Sequence, residues 1–117
     1  MAFILNTGVK ENKFGDEYAG AYACVDSFLA YDKVGRIADI CLYYFKDQAT
    51  RTDYKNGVAN NLPFATEIFR VDGADFDTYF SASAITADDN QFHQAYEYLK
   101  VLTGDARFDP ADWTSDE

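Results

Sequence analysis

His93, Cys24 and Cys41 are the side chains best suited to chemistry at neutral pH, and Asp72, Asp75 and Asp77 are a tight group of carboxylates. A thiol becomes a catalytic nucleophile when a base sits within hydrogen-bond reach. Neither cysteine is near His93 in the chain, and no family-specific motif surrounds any of the three. His93 follows Phe92 but lies off the apolar stripe of its segment, so it reads as a surface histidine. Asp72-Gly73-Ala74-Asp75-Phe76-Asp77 could offer oxygens to calcium, yet the EF-hand order with its closing Glu is absent. The run reads instead as a solvated turn. There is no Cys-x-x-Cys, no Cys/His cluster, no G-x-G-x-x-G and no G-x-x-x-x-G-K-[ST]. The expectation is a protein without catalytic residues, metal or cofactor. The enzymatic alternative would use paired carboxylates such as Asp72 with Asp77, but no second half of such a site is visible.

Such residues would be positioned mostly by strands. Residues 21–31 and 37–46 are rich in strand formers and flank Asp32-Lys33-Val34-Gly35-Arg36, which predicts a β-hairpin. With the loop at Asp32 to Gly35, Tyr31 opposes Arg36, Cys24 faces Tyr43 and Cys41 faces Asp26. Both cysteines then share one sheet face as free thiols, whereas a loop of odd length would part them. Residues 47–63 read as a polar connection, with Asn56-Gly57 and Asn60-Asn61 as turns. Strands at 65–71 and 76–85 around Asp72-Gly73 predict a second hairpin. Thr86, Asp88 or Asp89 can cap a helix that follows, since Phe92, Ala95, Tyr96, Leu99 and Leu102 fall on one helical face and Gly104 lies just beyond. The expected fold is α+β and mainly β. Two antiparallel hairpins form a curved sheet or small sandwich with one C-terminal amphipathic helix. The chain divides into an N-terminal arm (1–20), a domain (21–104) and an acidic tail (105–117).

At 117 residues the chain is one domain's worth, and its 48% hydrophobic and 26% charged composition is globular. The net charge is -10. That sign disfavours nucleic acid and anionic lipid as partners. Residues 72–89 and 103–117 together hold -9 of the -10, either as a solubility device or as an acidic face for a basic partner. The first six residues have no basic start and no long apolar core, so no secretory leader is expected. The apolar run Ile40 to Phe45 is too short to span a bilayer. Two cysteines suit a chain made in a reducing cytosol.

Twenty aromatic residues, 10 Phe, 9 Tyr and 1 Trp, exceed what a four-stranded core needs. Some are expected in a protein interface, where Tyr and Trp are enriched. Phe108 and Trp113, in an otherwise polar tail, are the sharpest case, with a clasp folded over the sheet as the alternative.

The helix segment Gln94-Ala95-Tyr96-Glu97-Tyr98-Leu99-Lys100 and the acidic tail with Phe108 resemble a group of small tailed-bacteriophage proteins that end in a Q-A-Y-x-x-L-K helix. Ala21 to Ser27, a turn, and Tyr44-Phe45-Lys46-Asp47-Gln48-Ala49 are similar to that group's first hairpin, so the resemblance covers roughly residues 20–109. The chain departs from it after the helix, where Leu102 to Phe108 replaces a shorter L-P-E-F-like run. The resemblance implies a non-enzymatic virion component, assembled in the host cytoplasm, in the tail, baseplate or tail-fibre region. Its partners would be other virion structural proteins and further copies of itself in a symmetric assembly, with neither nucleic acid nor membrane. Phe92, Tyr96, Tyr98, Phe108 and Trp113 are the expected contact residues. A capsid decoration or head-fibre protein is the nearest alternative. An acidic inhibitor of a basic host enzyme is the more distant one.

Overall fold

A computed structural model describes residues 1–58 and 61–116. Asn60 of the expected Asn60-Asn61 turn, and Glu117 of the acidic tail, lie outside the described residues. The protein is a mixed α/β globule with mostly antiparallel strands and, among the described residues, three α-helices. The strands are β1 (Ala2–Leu5), β2 (Lys10–Glu11), β3 (Glu17–Tyr18), β4 (Tyr22–Asp32), β5 (Ile37–Phe45), β6 (Ala65–Asp72) and β7 (Trp113–Asp116). The helices are α1 (Gln48–Lys55), α2 (Gly73–Phe80) and α3 (Gln91–Lys100). One five-stranded sheet runs β6-β5-β4-β1-β7, and β2 with β3 forms a separate ribbon. A sandwich of two sheets, one of the two expected arrangements, is not what forms.

The first hairpin is present, and its register is instructive. Cys24 faces Tyr43 as the loop arithmetic predicts, but Cys41 faces Ser27 rather than Asp26, and Tyr31 faces Ala38 rather than Arg36. The register shifts between Val25 and Ser27 and again between Phe28 and Ala30. Each β-bulge puts an extra residue into β4, so the offset grows toward the turn. The turn itself is held by Asp32, whose Oδ1 accepts from the backbone N–H groups of Val34 (3.0 Å) and Gly35 (2.9 Å). Both cysteines are buried and free, on the same face as Tyr43 and Phe45.

The second hairpin does not form. Residues 76–80, expected to begin the strand 76–85, lie in α2, which starts at Gly73 in the expected turn, and 81–90 run on mostly as turns and bends. Phe76 and Phe80 lie four residues apart, a spacing that keeps one face of a strand and also one face of a helix, so the pattern alone fits either. Sheet packing selects the helix: Phe76 and Phe80 are buried in the core, 3% and 0% exposed. The connection 47–63 also holds an unexpected helix. Asp47 caps α1, its Oδ1 accepting from the Thr50 N–H (2.8 Å) and hydroxyl (2.7 Å). The expected C-terminal helix is α3. Its cap is Asn90, which accepts from the His93 N–H at 3.0 Å, rather than Thr86, Asp88 or Asp89, and it ends at Lys100.

One sheet face carries the main core. Phe3, Val25, Ile40, Leu42, Tyr44, Phe69 and Val71 meet α2, α3 and Phe108 there. The other face has a smaller cluster of Ala2, Tyr22, Cys24 and Phe45, against which Tyr54 of α1 packs. The segments read as arm and tail both supply strands, with β1 pairing antiparallel to β4 on one side and to β7 on the other. No helix among the described residues is long and apolar enough to cross a membrane.

Candidate functional site

The reactive groups fall beside the first bulge of β4. Asp26 is the extra residue there, and it pairs with Arg51 of α1. Arg51 lines two neighbouring clefts. One, of about 310 Å³, holds Asp26, Asn90, Phe92, His93 and Tyr96. The other, of about 230 Å³, holds Tyr22, Cys24, Gln48 and Lys55. Cys24 and His93 therefore open into different clefts. Burial pushes the Cys24 thiol up, against a smaller opposing effect of Arg51, which keeps it protonated at neutral pH. His93 Nε2 sits 3.2 Å from Asp89 and 3.6 Å from Glu97, each one helical turn away. Asp26 has its carboxyl raised by burial in spite of Arg51. Its Oδ2 and the Arg51 Nε are buried without hydrogen-bond partners among the described residues.

A second polar cluster sits on the α2–α3 side of the sheet. Tyr44, fully buried, donates to Glu67 Oε1 at 2.5 Å. Lys10 of the ribbon donates to the same oxygen at 2.8 Å and to the Arg107 carbonyl at 3.0 Å. Its ammonium lies 4.4 Å from the centre of the Tyr44 ring, a cation–π contact. Arg107 forks onto Asp105 at 3.0 and 2.8 Å, donates to the Ile68 carbonyl at 2.8 Å and covers the Phe69 ring at 4.2 Å. The Tyr44 hydroxyl is pushed far up by burial and by the Glu67 charge, so it acts as a fixed donor. This cluster ties the ribbon, β5, β6 and the C-terminal segment together. Nothing in the sequence spacing of Lys10, Tyr44, Glu67 and Arg107 announces it.

The C-terminal segment then forms a groove. A cleft of about 530 Å³ is lined by Leu102, Asp105, Ala106, Phe108, Asp109 and Asp112. It adjoins a second of about 280 Å³ that shares Ala106, Asp109 and Asp112 and reaches Trp113 and Leu5. The five expected contact residues divide accordingly. Phe108 is 1% exposed, edge-on to Phe3 at 5.1 Å and stacked on Trp113 at 5.3 Å. Tyr96 is 4% exposed, and its hydroxyl accepts from the Val25 N–H at 2.8 Å, just past the last β1–β4 pair. Those two rings belong to the core, so the tail is a clasp over the sheet. Phe92 and Tyr98 are half-buried against Phe28 (5.4 Å) and Tyr79 (5.6 Å), and Trp113 is half-buried beside Tyr44 (5.8 Å).

The most solvent-exposed large apolar side chains are elsewhere: Val34 at 95%, Phe14 at 78%, Leu62 at 68% and Leu29 at 67%. Sequence reasoning passed over Phe14, which sits singly between Lys13 and Gly15. Asp72, Asp75 and Asp77 do not converge. Asp77 is held by Arg36 at 3.0 and 2.5 Å, and no three His, Cys, Asp or Glu among the described residues are placed to hold a metal.

No known family model matches the chain, and no curated protein or solved structure matches it either.

Proposed function

We propose that the chain is a non-enzymatic structural component of a tailed bacteriophage particle, a small tail, baseplate or tail-fibre-region module that bridges neighbouring virion proteins. The observation that carries this reading is the groove of the C-terminal segment. It is lined by Leu102 and Ala106 over the buried Phe108, with Trp113 at its end, Asp105, Asp109 and Asp112 along it, and Lys10, Glu11 and Arg107 beside them. A groove that mixes apolar and charged side chains suits a protein partner: the apolar groups supply affinity, and the charges set register and encounter rate. The resemblance of residues 20–109 to the phage group supplies the setting. The groups best suited to chemistry are engaged otherwise: the Cys24 thiol by burial, His93 by Asp89 and Glu97, Asp77 by Arg36.

Copy counting by mass spectrometry in purified particles tests this. A few to a few dozen copies, in multiples of three or six, is the expected result. Hundreds of copies would make it a capsid decoration or head-fibre protein. Absence from particles would favour an acidic inhibitor of a basic host enzyme, a reading that draws on the net charge of -10.

A further inference from the structure

The tip of the β2–β3 ribbon is more highly ordered than its exposure requires. Asn12 Oδ1 accepts from the backbone N–H of Phe14 (2.9 Å) and of Asp16 (3.0 Å), and its Nδ2 donates to the Asp16 carboxylate at 3.0 Å. The Asn12 N–H donates to the Asp16 carbonyl at 3.0 Å, and the Gly15 N–H to the Asn12 carbonyl at 3.1 Å. Gly15 has φ +84, a conformation that glycine adopts without strain. These bonds hold Phe14 out at 78% exposure, with Lys13 across its ring at 5.1 Å. Among the described residues Lys13 has no carboxylate partner. A loop backbone held in this way loses little main-chain freedom on binding.

The groove has the complementary character. Its floor holds Leu102, Ala106 and Phe108. Asp105 is taken by Arg107, and among the described residues the Asp109 carboxylate accepts only from the Ala111 N–H and the Asp112 carboxylate has no cation partner. A chain cannot fill its own groove with its own tip in this arrangement. Stacking of Tyr18 on Phe64 at 3.9 Å and the Lys10–Glu67 pair fix the ribbon against the start of β6, and Asn12 and Lys13 line a cleft with Phe64 and Glu67 that shares no residue with the larger cleft of the groove and only Glu11 with the smaller.

We infer that the occupant of the groove is a second copy of this chain: Phe14 of one copy packs on Leu102 and Ala106 of the next, and Lys13 meets Asp109 and Asp112. Two different patches are joined, so the contact is heterologous. It leaves a free tip at one end and a free groove at the other, and it propagates until a ring closes. The inference rests on the reading of the chain as an assembly module and supplies the contact by which it would repeat.

Sedimentation velocity over a concentration series tests it with three proteins. The wild type should associate beyond a monomer, less so as salt rises. A tip variant, Lys13→Ser with Phe14→Ser, and a groove variant, Asp109→Lys with Asp112→Lys, should each stay monomeric alone. Their equimolar mixture should stop at a one-to-one dimer, because only one intact tip and one intact groove face each other. Circular dichroism and thermal unfolding confirm that each variant folds; Phe14→Ala and Asp112→Asn serve if the doubles do not. A wild type that stays monomeric at every concentration overturns the inference, as do variants that associate like the wild type or a mixture that stays monomeric. A monomer that is nonetheless counted in particles overturns this contact and spares the virion reading. Absence from particles with intact self-association does the reverse.

Discussion

Two ion pairs in this protein are buried to nearly the same degree and are built on different principles. The side chains of Arg51 and Asp26 are 13% and 22% exposed, and those of Lys10 and Glu67 are 15% and 21% exposed. Around Glu67, the Tyr44 hydroxyl, the Lys10 ammonium and the Arg107 carbonyl meet donor to acceptor. Around Asp26, one carboxylate oxygen and the Arg51 Nε are left without partners. Burial therefore does not decide what a charged pair contributes. How many of its lone pairs and N–H groups find partners does, because an unmade hydrogen bond in a poorly solvated site costs more than a made one gains.

Glu67→Ala should be the largest single effect. It strands the buried Tyr44 hydroxyl and a mostly buried Lys10 together, and about 3 kcal/mol of stability should be lost in urea unfolding. Glu67→Gln keeps an acceptor and should lose only about 1 kcal/mol. At the other pair, Arg51→Met should cost about 2 kcal/mol by leaving Asp26 without its cation, and adding Asp26→Leu should bring the protein back within about 1 kcal/mol of wild type. If the double variant is less stable than the single one, the two pairs are not different in kind.

The titrations should separate with opposite signs. Hydrogen bonds from Arg107 hold the Asp105 carboxyl below the usual range, whereas burial raises that of Asp26. Asp105 thus contributes stability that is present above its unfolded value and is lost as pH falls through its lower folded one. Asp26 binds its proton more tightly folded than unfolded. Its contribution therefore falls as pH rises through the interval just above the ordinary carboxylate value, and it recovers on acidification. Carboxyl-carbon NMR should find Asp26 titrating above the ordinary carboxylate value and Asp105 below it, and Asp26→Asn should remove the first signal without moving the second. The smallest effect belongs to the exposed pair of Arg36 with Asp77, 50% and 55% exposed. Asp77→Asn should unfold at the same urea concentration as wild type, because solvent screens such pairs.

The amino-acid order by itself determined those parts whose signal is local. The α3 helix follows from Phe92, Ala95, Tyr96 and Leu99 recurring with the helical period. The β4–β5 hairpin follows from two strand-forming runs around a turn that Asp32 can hold with its own side chain. The placement of Cys24 opposite Tyr43, and of both cysteines on one face, follows from the two-residue alternation of strands. Tertiary structure decided the rest. Phe76 and Phe80 suit either period, and only the core formed with Phe69 and Val71 makes 73–80 a helix. The bulges at Asp26 and Leu29 leave no mark in composition, yet they reset the far half of the hairpin and put Asp26 beside Arg51. Phe108 reads in sequence either as a contact residue or as part of a clasp over the sheet, and pairing of β7 with β1 carries it into the core beside Phe3. Contacts between residues a hundred positions apart, such as Lys10 with Arg107, depend on closing the whole chain. Local propensity holds no information about which distant groups that closure brings together.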